Sequence, residues 1–193
     1  MMSIPYLVFE VSGNRYLIDA YFTKIVEKKE RLAVLIRPYN MSIYSKEPLG
    51  RPLEPLLRED ELDGLLKDAF AESFERSGER FNERLRHMRR WNLWRFLGIP
   101  TGHQRHIEKD EELAEESREA MMALTIFRKV LGVKKVEELD RISIRPMEYV
   151  YYNVLIKGEE VFDREGKKDR IYTQLMMFDE SFKREFLRKW ENR

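Results

Sequence analysis

From Glu59 to Leu97 the chain carries Leu62, Leu66, Ala69, Phe70, Phe74, Phe81, Leu85 and Met88 at spacings of three, four and seven. Such spacing lays apolar side chains along one face of an α-helix. The segment is therefore predicted to be one long helix, with Gly78 as the place where it can bend. Gly98 and Pro100 stop it, and Thr101-Gly102 turns the chain. A second helix is predicted from Asp110 to Leu131, with Leu113, Met121, Leu124, Phe127 and Leu131 as its apolar side. Gly132 then stands where a glycine commonly closes a helix. Two long helices joined by a short turn make a helical hairpin, and a short helix over Val136–Asp140 follows it.

The flanks read as β-structure. Tyr6–Val11 is rich in strand formers, Ser12-Gly13-Asn14 is a turn, Tyr16–Val26 continues as strand, and Leu32–Ile36 is a short buried-type strand after the polar turn Lys28-Lys29-Glu30. After the hairpin, Tyr149–Ile156 and Ile171–Phe178 read as strands, with turns at Lys157-Gly158 and Glu165-Gly166-Lys167. Ser181–Trp190 closes as an amphipathic helix, with Phe182, Phe186 and Trp190 four apart. Strands, helices, strands and a final helix in that order point to an α+β fold. The expected organisation is one domain over 1–193. It comprises a β-meander at 1–40, an irregular linker at 41–58, the helical hairpin region at 59–140, and β-hairpins plus a helix at 141–193.

Cysteine is absent, which excludes disulfides, thiolate metal sites and cysteine catalysis. No apolar run approaches the ~20 residues that span a bilayer, and the first residues lack the pattern of a secretory signal. The expectation is a protein without a membrane partner, intracellular, in the cytoplasm or packaged with nucleic acid. Charged residues make up 37% while glutamine occurs only at Gln104 and Gln174. That bias is expected of heat-adapted proteins, in which ion-pair networks are less costly to desolvate.

One stretch departs from the rest. Between Glu83 and Glu108 there is no acidic residue, yet the interval holds six arginines: Arg84, Arg86, Arg89, Arg90, Arg95 and Arg105. It also holds His87, His103 and His106, with Trp91 and Trp94. Guanidinium groups pair with phosphates in a bidentate way, and both they and indole rings stack on bases. This points to a non-enzymatic nucleic-acid-binding protein of an architectural or coating kind, such as a nucleoprotein, virion or chromatin component. It would contact phosphates through Arg84, Arg86, Arg89, Arg90, Trp91, Trp94, Arg95 and Arg105. A second account stays open. The next segment carries Glu108, Asp110, Glu111, Glu112, Glu115, Glu116 and Glu119. If the helices fold back on one another, the basic end of the first meets the acidic start of the second, with both charges suited to the helix dipoles. The chain would then be a homo-oligomer or protein-docking module.

Other constellations carry less. His103-x-x-His106 with Glu108 and Asp110 has a metal-compatible spacing, but zinc sites require three or four ligands of fixed geometry and two histidines are present there. Asp19 with Glu27-Lys28-Lys29 has the residue types of metal-dependent nucleases, in which acids hold magnesium and a lysine aids the attacking water. This gives a metal-dependent phosphodiesterase as a third reading. There is no nucleophile elbow, phosphate loop or dinucleotide loop, and no cofactor is implied. Alternation places Tyr149, Tyr151 and Asn153 on one face of their strand and Val150, Tyr152 and Val154 on the other. Finally, Tyr6-Leu7-Val8-Phe9 through Gly13, Arg15-Tyr16 and Ile25-Val26 resembles the opening strands of CheW-type chemotaxis adaptors. Those adaptors are small β barrels, whereas this chain has a long helical hairpin in its middle. The resemblance implies a hairpin and no function.

Overall fold

The computed structural model describes residues 1–98, 103–158 and 160–191. Among them, seven strands share one curled sheet. Strands β1 (Met2–Val11) and β2 (Asn14–Asp19) form a hairpin through Ser12 and Gly13, both at positive φ (51° and 79°). A two-residue loop of that hand matches the twist of the strands it joins. Strand β3 (Ile36–Pro38) lies outside β2, and β4 (Tyr44–Ser45) lies outside β6 (Ile144–Lys157), giving the order β3-β2-β1-β6-β4. The short β5 (Arg51–Pro52) pairs in parallel with the start of β1, and β7 (Glu160–Asp163) pairs with β6. A register shift between Leu7 and Phe9 lets β6 carry Pro146 without breaking the ladder.

Strand β1 is buried on both faces, and its alternation sorts the core. Leu7, Phe9 and Val11 face one cluster, while Met2, Ile4, Tyr6 and Val8 face another. The first cluster is completed by α1 (Leu32–Leu35), the first half of α2 (Leu62–Phe96) and the C-terminal half of α3 (His103–Leu131). The second is completed by α4 (Arg170–Phe178) and α5 (Glu180–Glu191), where Tyr172, Phe182 and Phe186 close around Phe22. The α+β class and the central helical hairpin are thus as the sequence indicates.

Several segments differ from the sequence expectation, each for a local reason. The strand predicted over Tyr16–Val26 ends at Asp19, whose carboxylate accepts the N–H groups of Tyr21 (2.8 Å) and Phe22 (2.7 Å) and starts a 3₁₀ turn over Phe22–Lys24. Leu32–Leu35 is a helical turn rather than strand, and only Ile36–Pro38 pairs with β2. The 41–58 linker supplies β4, β5 and the buried Leu53 and Leu57. The predicted strand Ile171–Phe178 is the helix α4. Asp169 caps it by accepting the Tyr172 N–H (3.0 Å), and Tyr172, Leu175 and Met176 are its buried side. Helix α3 begins at His103 rather than Asp110. The predicted turn at Thr101-Gly102 lies outside the described residues.

Asp179 caps α5 by accepting the Phe182 N–H (2.9 Å) and also receives Arg31 at 2.6 Å. Burial pushes its carboxyl up, but the Phe182 N–H, Arg31 and Ser181 outweigh burial and hold it below the usual range. Gly132 ends α3 at φ 73°, with its N–H donating to Arg128. An L-residue in that conformation costs about 1–2 kcal/mol. Gly132→Ala is therefore expected to lower the unfolding free energy by that amount in urea denaturation, with the folded-state circular dichroism unchanged.

At 1.5 Å per residue, the 35 residues of α2 make a rod of about 50 Å. A compact domain of 193 residues has a radius of gyration of about 16 Å. The hairpin accordingly outruns the sheet it starts on. The ion pairs that tie α2 to the body end at Arg76, which meets Glu30 (3.0 Å), and those of α3 end at Glu119, which meets Lys28 and Arg31. Farther out, the described ion pairs of these two helices join only the helices themselves.

Candidate nucleic-acid interface

The two helices face each other along seams that repeat every three or four residues. On α3 the seam is His106, Asp110, Leu113, Ser117, Ala120, Leu124, Phe127 and Leu131; on α2 it is Leu66, Ala69, Ser73, Ser77, Arg80, Arg84, His87, Trp91 and Trp94. This 3-4 spacing is that of antiparallel helices packed at a shallow angle. Near the body the seam is apolar or small, with Leu66, Ala69, Ala120, Leu124 and Phe127 all buried. Beyond Ser77 the apolar seam shrinks to Leu113, and charge and aromatic rings replace it. Arg80 meets Glu116 at 3.1 Å, and Arg84 meets both oxygens of Asp110 at 3.2 and 3.3 Å.

The rings at the end of the hairpin close on His106. Trp91 lies parallel to it (centroids 6.0 Å apart, planes 15° apart), and Trp94 meets it edge-on at 5.6 Å. His87 sits at 5.5 Å, with Nε2 3.2 Å from the His106 carbonyl oxygen. Starting α3 at His103 is what makes this possible, because His106 gains a helical position opposite His87 and Trp91.

The predicted contact residues separate into two groups. Arg84, Trp91 and Trp94 belong to the seam: Arg84 is engaged by Asp110, and the indoles pack on His106. Arg86, Arg89, Arg90, Arg95 and Arg105 are exposed and make no ion pair among the described residues. Arg86 donates to the Asn82 carbonyl oxygen at 3.4 Å. The acidic run of α3 therefore neutralises Arg80 and Arg84 and leaves the outer arginines open. The fold-back pairing of basic and acidic segments is thus present, among the described residues, for Arg80 and Arg84 only.

No family model, curated protein or solved structure matches this chain. What the site can do must come from its own chemistry.

Five open guanidinium groups at the end of a hairpin repel one another and attract anions. The negative end of the α2 dipole offsets part of the repulsion for Arg95. Exposed apolar side chains stand among them: Phe96 is 86% exposed, Leu97 59% and Leu93 55%. The sequence has the tryptophans pack or stack; among the described rings of this end, Phe96 is more open than Trp94.

The remaining candidates are placed apart. Asp19 is fully buried and bonded to backbone N–H groups and the Tyr172 hydroxyl, while Glu27 is exposed on the surface. The side chain of His103 lies outside the described residues. Among those that are described, no three histidine or acidic side chains gather as a metal site. Tyr149 is half-buried and donates to the Leu57 carbonyl oxygen (3.0 Å), so its face of β6 lies against the first core cluster rather than open for stacking. No helix among the described residues is long and apolar enough to cross a membrane.

Proposed function

We propose that the free end of the α2–α3 hairpin binds nucleic acid through phosphate contacts, without reading base sequence. The observation that carries this reading is the set of exposed, unpaired arginines there, when Arg76, Arg80 and Arg84 on the same helix each have a carboxylate partner. A guanidinium fork matches phosphate geometry, and a projecting rod delivers several forks to one backbone. Phe96 adds an exposed ring suited to stacking on an unpaired base. Such contact fits an architectural or coating protein of a heat-adapted organism, in which many copies act together.

The test is fluorescence anisotropy with labelled single- and double-stranded DNA and RNA, titrated with salt. Arg90, Arg95 and Arg105 are the residues to replace, since none has an ion pair among the described residues. Each phosphate contact contributes about 0.9 to the slope of log affinity against log salt for duplex DNA. Arg90→Ala/Arg95→Ala/Arg105→Ala is expected to reduce that slope by about 3. Absence of binding at low salt, or a slope equal in the two proteins, sinks the reading.

A further inference from the structure

The outer half of α2 is inverted relative to an ordinary amphipathic helix. Its inward seam is polar, formed by Arg80, Arg84 and His87. Its apolar residues lie on the neighbouring flank: Phe81 is 56% exposed, Met88 39% and Leu85 36%. These three continue the line of Phe70 and Phe74, which the body covers lower down. The stripe runs out past the body with nothing described on it.

The charges beside the stripe say what covers it. At 100° per residue, Glu75, Glu79, Asn82, Arg86 and Arg89 share the edge next to Phe81 and Leu85. Glu75 and Glu79 stand on the body side of Asn82, and Arg86 and Arg89 on the outer side. None of the four has an ion pair among the described residues, although Glu72 is paired with Lys29 and Glu83 with Arg80. An edge that is acidic at one end and basic at the other complements a copy of itself turned end for end.

We infer that this flank is the contact between two copies of the chain, with the two α2 helices antiparallel about a twofold axis at Asn82–Glu83. That axis sets Glu79 opposite Arg86 of the second copy, Glu75 opposite Arg89, and Phe81 opposite Leu85. It also sets Met88 opposite Gly78. The midpoints of the four pairs all fall between Asn82 and Glu83, within half a residue of the axis, as an isologous contact requires. Gly78 is helical and has nothing within 4 Å of where a Cβ would lie. Glycine within a helix is disfavoured relative to alanine, and here it leaves a recess for Met88 of the second copy. Arg90, on the side of α2 opposite the Phe81–Met88 stripe, and Arg105 on α3 are not among these four pairs. The two hairpin ends point in opposite directions, so the dimer presents an arginine cluster at each end.

Sedimentation equilibrium at low salt tests the contact. The wild type is expected at twice the 23.4 kDa chain mass. Leu85→Glu is expected at the single mass, with an unchanged thermal melt below the dissociation concentration because the site is exposed. Arg86→Glu/Arg89→Glu alone and Glu75→Arg/Glu79→Arg alone are each expected to be monomeric, since like charges then face each other. An equimolar mixture of the two is expected to restore the double mass as a heterodimer. A monomeric wild type overturns the inference, and so does a dimer that survives these substitutions or a mixture that stays monomeric. Nucleic-acid binding is read separately with Arg90→Ala/Arg95→Ala/Arg105→Ala, so loss of either property leaves the other measurable.

Discussion

Arg37→Ala is expected to lower the unfolding free energy by about 3–5 kcal/mol, the effect of stripping one partner from a buried ion pair. Arg37 sits at the edge of the second core cluster, where its guanidinium donates to Asp169 Oδ2 at 2.7 Å. The side chains are 12% and 3% exposed, so water replaces little of what is lost. The same guanidinium lies over three tyrosine rings, with centroid distances of 4.8 Å to Tyr152, 5.2 Å to Tyr172 and 5.6 Å to Tyr6. These ring contacts, worth up to about 2 kcal/mol each when desolvated, are part of that loss rather than an addition to it. Removing the cation leaves the Asp169 carboxylate buried, with the Tyr152 hydroxyl and the Tyr172 N–H as its remaining donors. The double substitution Arg37→Ala/Asp169→Asn should recover part of the loss. Asparagine keeps the oxygen that caps α4 and carries no charge to strand. Urea denaturation of the single and double variants gives the coupling directly. An Arg37→Ala protein within 1 kcal/mol of wild type would mean that the pair is not a stabilising unit.

This site marks the boundary of what the sequence makes legible. The long periodic segments were readable because burial of α2 and α3 near the body follows their own 3-4 spacing, and Gly132 ended a helix where its freedom at positive φ was needed. The β1–β2 hairpin was readable from Ser12-Gly13 between two strand-forming runs. Ile171–Phe178 was misread because tyrosine, threonine and isoleucine favour strands. Tertiary context overrides that preference: Asp169 caps the segment, and a helix turns Tyr172 toward Asp19 and Tyr6. Tyr16–Val26 failed in the same way, since the capping carboxylate of Asp19 cannot be told from any other aspartate in a β-rich run. The linker at 41–58 hid two strands because its prolines and Gly50 suggest irregular chain, whereas pairing to β1 and β6 is a long-range property.

The hairpin interface was half legible for a similar reason. An acid-free run of arginines is visible in one dimension. That Arg84 meets Asp110, and Arg80 just before the run meets Glu116, depends on the register of α2 against α3, which is fixed lower down by Leu66, Ala69, Leu124 and Phe127. The replacement of the apolar seam of Leu66 and Ala69 by Arg80 and Arg84, while Phe81 stays on the line of Phe70 and Phe74, is also hidden. Spacings of three, four and seven admit both placements, and only the seam residues of α3 decide between them. Charge on the inside and Phe81, Leu85 and Met88 on the outside are the pattern from which contact with a second copy is inferred.

Asp19→Asn is expected to gain about 3 kcal/mol relative to wild type as pH rises from 4 to 7, the linkage equivalent of roughly two pKa units. Burial drives the Asp19 carboxyl up to about 6, against the opposing pull of the Tyr172 hydroxyl, the N–H groups of Phe22 and Tyr21, and Arg37. The unfolded chain releases this proton near the ordinary value of 3.8. Between those two values the native state holds a proton that the unfolded state has lost. The unfolded state therefore binds fewer protons, and stability from this group falls as pH rises through the window. It is fully present below the unfolded value and gone above about 6. Acids held low by folding, such as Asp179 and Glu119, push stability the opposite way over the same range. Comparing the two proteins cancels their contribution. Asparagine retains an oxygen for the Tyr21 and Phe22 N–H groups and has no proton to lose, so its difference from wild type should climb between pH 4 and 6 and level above. Near pH 3.5 the variant should be no more stable than wild type, because its amide must now face the Tyr172 hydroxyl. A difference that stays flat from pH 4 to 7 would mean that Asp19 titrates in the native protein as it does in the unfolded chain. The buried tyrosine cluster around it would then be wet.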